Sequence, residues 1–233
     1  MSNLASHLIF DFFGTLAHYS PSRTEQGYAR SFEFLRSTGC TLDYDGFLLL
    51  WTRVADEFEA RAARTHREFS MLELGEEFLF RAHARDPKSA ARPFTETYLS
   101  EWNTGVRAIH DLPEMLGRLS AVYSCSIITN THDPRLVPDH LDRMGISMHF
   151  DHVITSVELG IRKPSPKIFE HTLELLGVEP SACIYVGDDY EADYVGATST
   201  GIPCLLIDPR REFEIDSTHR LETIIDPEGH LAK

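Results

Sequence analysis

Short apolar runs that alternate with helical segments constrain the fold of this 233-residue chain more than any other feature. Each run has the length of a buried strand, and glycines, prolines and capping residues separate it from the next element. Alternation of this kind predicts an α/β fold, in which a parallel sheet carries helices on both faces. We predict strands at 7–10, 122–129, 152–156, 183–186 and 204–207.

Residues typical of helix ends mark the segments between these strands. Ser165 and Pro166 supply an N-cap and a first-turn proline, and Gly177 is typical of the position after a helix. The segment 190–200, which is followed by another glycine, is predicted to form one helix.

The stretch between the first two predicted strands has helical signals and no convincing strand. Ser22-x-x-Glu25 and Ser70-x-x-Glu73 both have the spacing of a capping box. Apolar residues recur at helical spacing after each of them. This stretch is therefore predicted to be a bundle of helices.

Two prolines and a change of pattern set the predicted boundaries. Asp86-Pro87 is expected to end the third helix of the bundle, and Pro93 to start a shorter one. Near residue 103 the pattern changes to alternating strands and helices. We predict a core domain of 1–17 and 103–233, with a helical domain of 18–102 inserted into it.

Charge and composition exclude several classes of function. The formal net charge of −14 argues against a nucleic-acid-binding protein and against binding to anionic membranes. We identify no signal peptide and no membrane-spanning run, and the four cysteines form no CxxC pair. These features predict a cytoplasmic protein with buried free thiols, either a monomer or a homodimer.

Polar residues follow four of the predicted strands. They are Asp11 after the first, Thr129-Asn130 after the second, Lys163 after the third, and Asp188-Asp189 with Asp193 after the fourth. In a parallel sheet the carboxyl ends of the strands share one edge, where ligands bind. We therefore expect these side chains to lie close together.

The expected cluster is strongly acidic. Four carboxylates would crowd one site, with Lys163 as the nearby cation, so they would repel one another and their pKa values would rise. A divalent cation would relieve that repulsion. An all-oxygen donor set of this kind suits Mg²⁺, which also accepts substrate phosphate as a ligand.

Four segments resemble, in order, the four motifs of the haloacid dehalogenase superfamily: DFFGTL, IITN, RKPSP and GDDYEAD. Phosphatases of that superfamily carry these motifs on a Rossmann-like core, with a helical cap inserted between the first and the second. The resemblance implies that 18–102 is such a cap. It also implies a Mg²⁺-dependent hydrolase, most simply a phosphatase that acts on a small phosphorylated metabolite.

The resemblance assigns a role to each motif. Asp11 would be the nucleophile that forms an aspartyl-phosphate, and Lys163 would orient it and neutralise phosphoryl oxygens. The implied metal ligands are Asp11, the backbone carbonyl of Phe13, Asp188 and, directly or through water, Asp193, with Asp189 as a possible further acidic residue. The implied phosphate-binding residues are Gly14, Thr15, Thr129, Asn130 and Lys163.

One position departs from the pattern. Phosphatases of the superfamily have a second aspartate two residues after the nucleophile, where it protonates the leaving alcohol and later activates water. Here the residue is Phe13, which can do neither. Ester hydrolysis is therefore expected to be slow, unless His18 or Tyr19 supplies the proton or the leaving group needs none.

Phe13 keeps two alternatives open. Hydrolytic 2-haloacid dehalogenases of the superfamily have a tyrosine there and expel a halide without a proton, but they use no metal and fewer carboxylates. Phe169 also replaces a tyrosine that they carry after the lysine. A catalytically weakened protein that binds phosphate and Mg²⁺ is the other alternative. Because an acidic site is costly without a cation, we rank the phosphatase first.

Overall fold

The structure, a computed structural model, describes residues 5–20, 26–225 and 227–231. The chain divides into two compact units. The core unit comprises Met1–His18 and Ala108–Lys233, and the helical unit comprises Tyr19–Arg107. In the structure the boundaries between the two units follow residues 18 and 107. The sequence pattern predicts these boundaries after residues 17 and 102.

Most strands of the described chain belong to a parallel sheet in the core unit. Its order is β5-β4-β1-β6-β7-β8, and every neighbouring pair is parallel. The α/β prediction is therefore confirmed. In chain order the strands are β1 His7–Phe10, β2 Ala17–His18, β3 Arg107–Ala108, β4 Ser124–Thr129, β5 His152–Thr155, β6 Cys183–Gly187, β7 Cys204–Ile207 and β8 Arg220–Leu221.

The central strands are apolar because helices cover both faces of the sheet. Ile9 of β1 packs with Ile128, Tyr185 and Cys204 in one of the hydrophobic clusters of the core unit. The outermost strand, β8, has only two residues and no apolar run, so the sequence pattern did not predict it.

Helices make up most of the remaining described chain. In chain order they are α1 Ala29–Ser37, α2 Tyr44–Thr65, α3 Met71–Arg81, α4 Pro87–Trp102, α5 Leu112–Ser120, α6 Leu136–Met144, α7 Ser156–Leu159, α8 Pro166–Leu176, α9 Gly196–Ser199 and α10 Glu228–Leu231. None of the helices within the described residues is long and apolar enough to cross a bilayer.

In the core unit, the ends of α8 agree with the prediction, whereas the segment 190–200 differs from it. Pro166 is the first residue of α8, and Gly177 ends it in the left-handed conformation. The segment predicted as one helix over 190–200 is instead a π-helical turn, Tyr190–Val195, followed by α9.

In the helical unit, a predicted capping box is confirmed and the predicted start of the last helix is wrong. Ser70 and Glu73 form the predicted capping box at the start of α3, whereas the box at Ser22 and Glu25 lies outside the described residues. Helix α4 begins at Pro87 rather than at Pro93, which lies inside it. The reason is that Asp86 acts as an N-cap and Pro87 takes the first helical position, so the pair starts a helix instead of ending one.

Aromatic residues dominate the interior of the helical unit. The rings of Trp51 and Tyr98 have centroids 4.2 Å apart, and those of Phe78 and Phe94 stack at 5.1 Å. This core joins α2, α3 and α4. The four cysteines of the chain are all buried and free, as predicted.

Candidate active site

The sheet brings residues from distant parts of the sequence to one edge of the core unit. Strands β1 and β6 are parallel neighbours, so Asp11 and Asp188, which follow them, lie at the same end. One ligand atom from each of Asp11, Asp188 and Asp193 lies within 4.8 Å of the others. Parallel sheets bind ligands at this edge.

Lys163 lies buried within this cluster. Its Nζ donates to Asp11 Oδ1 at 2.7 Å, to Asp193 Oδ1 at 2.5 Å and to the Tyr185 hydroxyl at 2.8 Å. Burial alone lowers the pKa of Lys163, but the two carboxylates outweigh burial and raise it above its ordinary value. Lys163 is therefore a permanent cation with all three N–H donors engaged.

The carboxylates are less well compensated than the lysine. Burial raises the pKa of Asp11 to about 6, against the opposing charge of Lys163. Burial and the charges of Asp11 and Asp193 raise the pKa of Asp188 to about 7. A bound cation would favour the ionised form of both groups. The donor set therefore fits a hard divalent ion such as Mg²⁺.

Asp193 is fully engaged with the protein. Its Oδ1 accepts from Lys163 and from the Tyr185 hydroxyl, and its Oδ2 accepts from the backbone N–H groups of Asp188 and Asp189 at 3.1 and 3.0 Å. Four donors occupy the lone pairs of this carboxylate. Asp193 thus holds both the lysine and the loop that carries Asp188.

Gly14 and Thr15 shape the surroundings of Asp188. A Cβ atom at Gly14, which has a φ of +94°, would lie 2.1 Å from Asp188 Oδ2, so a larger residue cannot fit there. The Gly14 N–H donates to the Ala17 carbonyl, and Thr15 Oγ1 donates to Asp188 Oδ1 at 2.9 Å. The Gly14 N–H and the Thr15 hydroxyl therefore both have partners within the protein, and phosphate binding by these two residues stays a prediction.

Thr129, the last residue of β4, and Asn130, which follows it, make different contacts. The Asn130 side chain accepts from the Lys163 N–H at 2.9 Å and donates to the Lys163 carbonyl at 3.1 Å, so it fixes the backbone of the lysine. Thr129 Oγ1 is buried and has no hydrogen-bond partner within the described chain. A buried hydroxyl without a partner is costly, and a ligand could satisfy it.

Asp189 and Phe13 do not join the cluster through their side chains. The exposed Asp189 carboxylate caps the π-helical turn by accepting from the Ala192 N–H at 2.7 Å. The Phe13 ring packs edge-to-face against Phe12, with centroids 4.9 Å apart, and also contacts His140.

An open cleft of about 420 Å³ adjoins Asp188 in the core unit. His18 lines this cleft together with Gly14, Thr15 and Asp188. Tyr19, the other residue considered as a proton donor, belongs to the helical unit.

Sequence reasoning missed Tyr185 and His140. Tyr185 lies in the apolar run of β6, and the signal that could have revealed it is a phenol two residues before the glycine of GDDYEAD. Burial raises its pKa well above 10, so it is a neutral phenol. Burial and Arg143 lower the pKa of His140 to about 4, so His140 is neutral at physiological pH.

Comparison with known proteins agrees with this fold. The family model described as haloacid dehalogenase-like hydrolase matches residues 5–201. The chain therefore belongs to this family of hydrolases and is an enzyme. The sequence-based assignment to the superfamily is confirmed.

Two relatives and one solved structure illustrate the likeness. The ribulose-1,5-bisphosphate 5-phosphatase of Halopiger xanaduensis is 27% identical over 213 residues, covering 90% of this chain and 87% of the relative. The glyceraldehyde 3-phosphate phosphatase of Methanopyrus kandleri is 32% identical over 149 residues, 58% of this chain and 60% of the relative. The 2-haloacid dehalogenase of Pseudomonas syringae pv. Tomato superposes with a TM-score of 0.76 at 20% identity, covering 98% of each chain, which shows a shared fold.

Proposed function

We propose that this hydrolase is a Mg²⁺-dependent phosphatase that transfers the phosphoryl group of a small phosphorylated metabolite to Asp11 and then to water. The observation that carries the proposal is the buried contact between Lys163 and Asp11, in a cluster where three carboxylates surround this one lysine. The names of two relatives support a phosphorylated substrate, since both are phosphatases of small phosphorylated molecules.

The residues present fit a magnesium ion. Asp11 and Asp188 would bind it directly, with the backbone carbonyl of Phe13 as a third protein ligand. Asp193 would act through water, because four protein donors already occupy its carboxylate. When bound, Mg²⁺ neutralises charge on the phosphoryl oxygens and keeps the carboxylates ionised.

Asp11 performs the covalent step. One of its oxygens forms a bond to phosphorus while the bond from phosphorus to the leaving oxygen breaks, and water then hydrolyses the aspartyl-phosphate. Lys163 fixes Asp11 through Oδ1 and contributes its positive charge to the site. Thr129 Oγ1, which is buried and without a partner in the described residues, would donate to a phosphoryl oxygen.

Phe13 determines which leaving groups react well. Its side chain cannot protonate a leaving alcohol, so we propose slow turnover of alkyl phosphates. Substrates whose leaving group departs without a proton, such as acyl phosphates, would react faster. His18 is a candidate replacement acid, since it lines the same cleft as Asp188.

Assays under two conditions test the proposal. The purified protein would be supplied with phosphate esters and acyl phosphates in Mg²⁺, and with 2-haloacids in a chelator. We expect phosphate release that stops on chelation and resumes when Mg²⁺ is restored. Halide release in the chelator would instead indicate a dehalogenase, and no turnover in either assay would indicate a binding protein. The cap role of the helical unit, the cytoplasmic location and the choice between monomer and homodimer stay predictions.

A further inference from the structure

The Tyr185 hydroxyl contacts Lys163, which in turn contacts the proposed nucleophile Asp11. Tyr185 lies in β6, fully buried, with its ring edge-to-face against Phe169 at 5.5 Å. Its hydroxyl oxygen lies 2.8 Å from Lys163 Nζ, 3.0 Å from Asp193 Oδ1 and 3.1 Å from the Ile128 carbonyl oxygen. Because β1 lies between β4 and β6, the Tyr185 side chain links the two strands that flank the strand of Asp11.

The contact between Tyr185 and Lys163 matters because the hydroxyl is one of three acceptors around the ammonium group. An ammonium group has three protons, and Asp11, Asp193 and Tyr185 each accept one of them. The two carboxylates pull the ammonium group by charge. The hydroxyl is the neutral acceptor that fixes its rotation, and its single proton has two acceptors within reach, Asp193 Oδ1 and the Ile128 carbonyl oxygen.

We propose that Tyr185 is a positioning residue that holds the Lys163 ammonium group in the orientation that aims Asp11 at the substrate. Without the hydroxyl, one buried N–H of Lys163 loses its acceptor. The ammonium group would then shift toward Asp193 or alternate between the two carboxylates, because an unsatisfied buried donor is costly. Asp11 would lose its fixed orientation, and reaction rates depend strongly on such orientation.

The kinetic part of this inference rests on the proposed function, whereas the geometric part does not. Tyr185→Phe keeps the ring and its contact with Phe169 while removing the hydroxyl. We expect kcat to fall about tenfold with KM changed less than about twofold, the loss typical of one hydrogen bond to a charged group. A purely structural hydroxyl would lower the thermal midpoint and leave the kcat of the folded enzyme unchanged.

Tyr194→Phe is the matched control. Its hydroxyl lies 2.9 Å from His219 Nδ1 and takes no part in the Lys163 contacts, so the same chemical change should leave kcat and KM unaltered. Comparing the two variants separates loss of a phenolic hydroxyl from loss of this particular contact.

A crystal structure of Tyr185→Phe provides a measurement that needs no activity. We expect Lys163 Nζ to occupy two positions or to move beyond hydrogen-bond distance of Asp11 Oδ1. An unchanged separation near 2.7 Å, or an unchanged kcat, would overturn the role of Tyr185. If the wild-type enzyme releases no phosphate, the proposed function fails, and the position of Lys163 in the crystal alone decides the inference about Tyr185.

Discussion

The two units of the molecule bury charged side chains in contrasting ways. In the helical unit, the Glu101 carboxylate accepts from the backbone N–H groups of Arg30 and Ser31, each at 2.9 Å. These are orphan donors in the first turn of α1, whose own N-cap residue supplies no side-chain hydrogen bond. In the core unit, Lys163 and the carboxylates of Asp11 and Asp193 face one another instead.

The difference separates a structural buried charge from one that we propose to be reactive. Glu101 compensates for a helix start, and the exposed Arg30 guanidinium lies 3.7 Å from its carboxylate. The core cluster, in contrast, contains two acids with raised pKa values beside one cation. We infer that buried charge serves stability in the helical unit and chemistry in the core unit.

The largest effect is expected at Asp11, the proposed nucleophile. Asp11→Asn should lower kcat by about 10³-fold or more, because an amide cannot form the aspartyl-phosphate. Circular dichroism should show an intact fold, since the substitution removes a buried charge without changing the side-chain volume much. Asp142→Asn, an exposed aspartate on α6, is the control for the same change and should leave kcat unaltered. Comparable activity in the two variants would remove Asp11 from the reaction.

The next largest effect is expected from substitution of Phe13. Phe13→Asp should raise kcat on an aryl or alkyl phosphate about 10- to 100-fold, because it restores a proton donor to the site. Phe13→Asn, which has nearly the same size but no acid, should give no such gain. Steady-state kinetics on one ester with both variants decides the matter. Equal rates would show that the missing acid does not limit turnover.

The third prediction concerns pH and metal. The native pKa of Asp188 is about 7 against an ordinary value of 3.8, so the folded metal-free protein binds more protons than the unfolded chain between these values. Its stability should therefore fall as pH rises from about 4 to 7. Added Mg²⁺ should stabilise the protein by about 2.7 kcal/mol at about 100 times Kd, which corresponds to roughly 5–10 °C in thermal midpoint.

The stabilisation by Mg²⁺ should be larger at pH 8 than at pH 5, because ionised carboxylates bind the ion. Differential scanning fluorimetry at the two pH values measures the shift. Asp188→Asn should abolish it. A shift that is independent of pH, or that survives in this variant, would place the metal elsewhere.

The smallest expected effect concerns the helical unit. Glu101→Ala should destabilise the protein by about 2 kcal/mol, because the backbone N–H groups of Arg30 and Ser31 and the Ser31 hydroxyl lose their acceptor. Urea unfolding gives the change, and Glu96→Ala on the exposed side of α4 should alter stability by less than about 0.5 kcal/mol. If both variants lose the same stability, the contrast between the two units is wrong.

Sequence patterns predicted the parts of the molecule whose residues act locally. Strand β1 has the predicted bounds, and Asp11 follows it, because a short apolar run before a glycine turn has few alternatives. Pro93 misled the prediction, since a proline inside a helix is rare and α4 contains one.

The contacts that the sequence could not predict link residues far apart in the chain. Tyr185 looks like an ordinary core residue of β6, and only the fold brings its hydroxyl to Lys163 and Ile128. The resemblance separates Asp193, an implied metal ligand, from Asp189, a possible further acid, but it does not predict what each side chain contacts. The π-helical turn sends Asp189 to a capping position and Asp193 into the buried cluster.

Trapping the covalent intermediate tests the central claim most directly. The enzyme would be mixed with an acyl phosphate and Mg²⁺, quenched in acid within milliseconds, digested, and analysed by mass spectrometry. We predict one added phosphoryl group on the peptide that contains Asp11, absent when a chelator replaces Mg²⁺ and absent in Asp11→Asn. Rapid phosphate release with no phosphoryl group on Asp11, or with one on a different residue, would contradict the account.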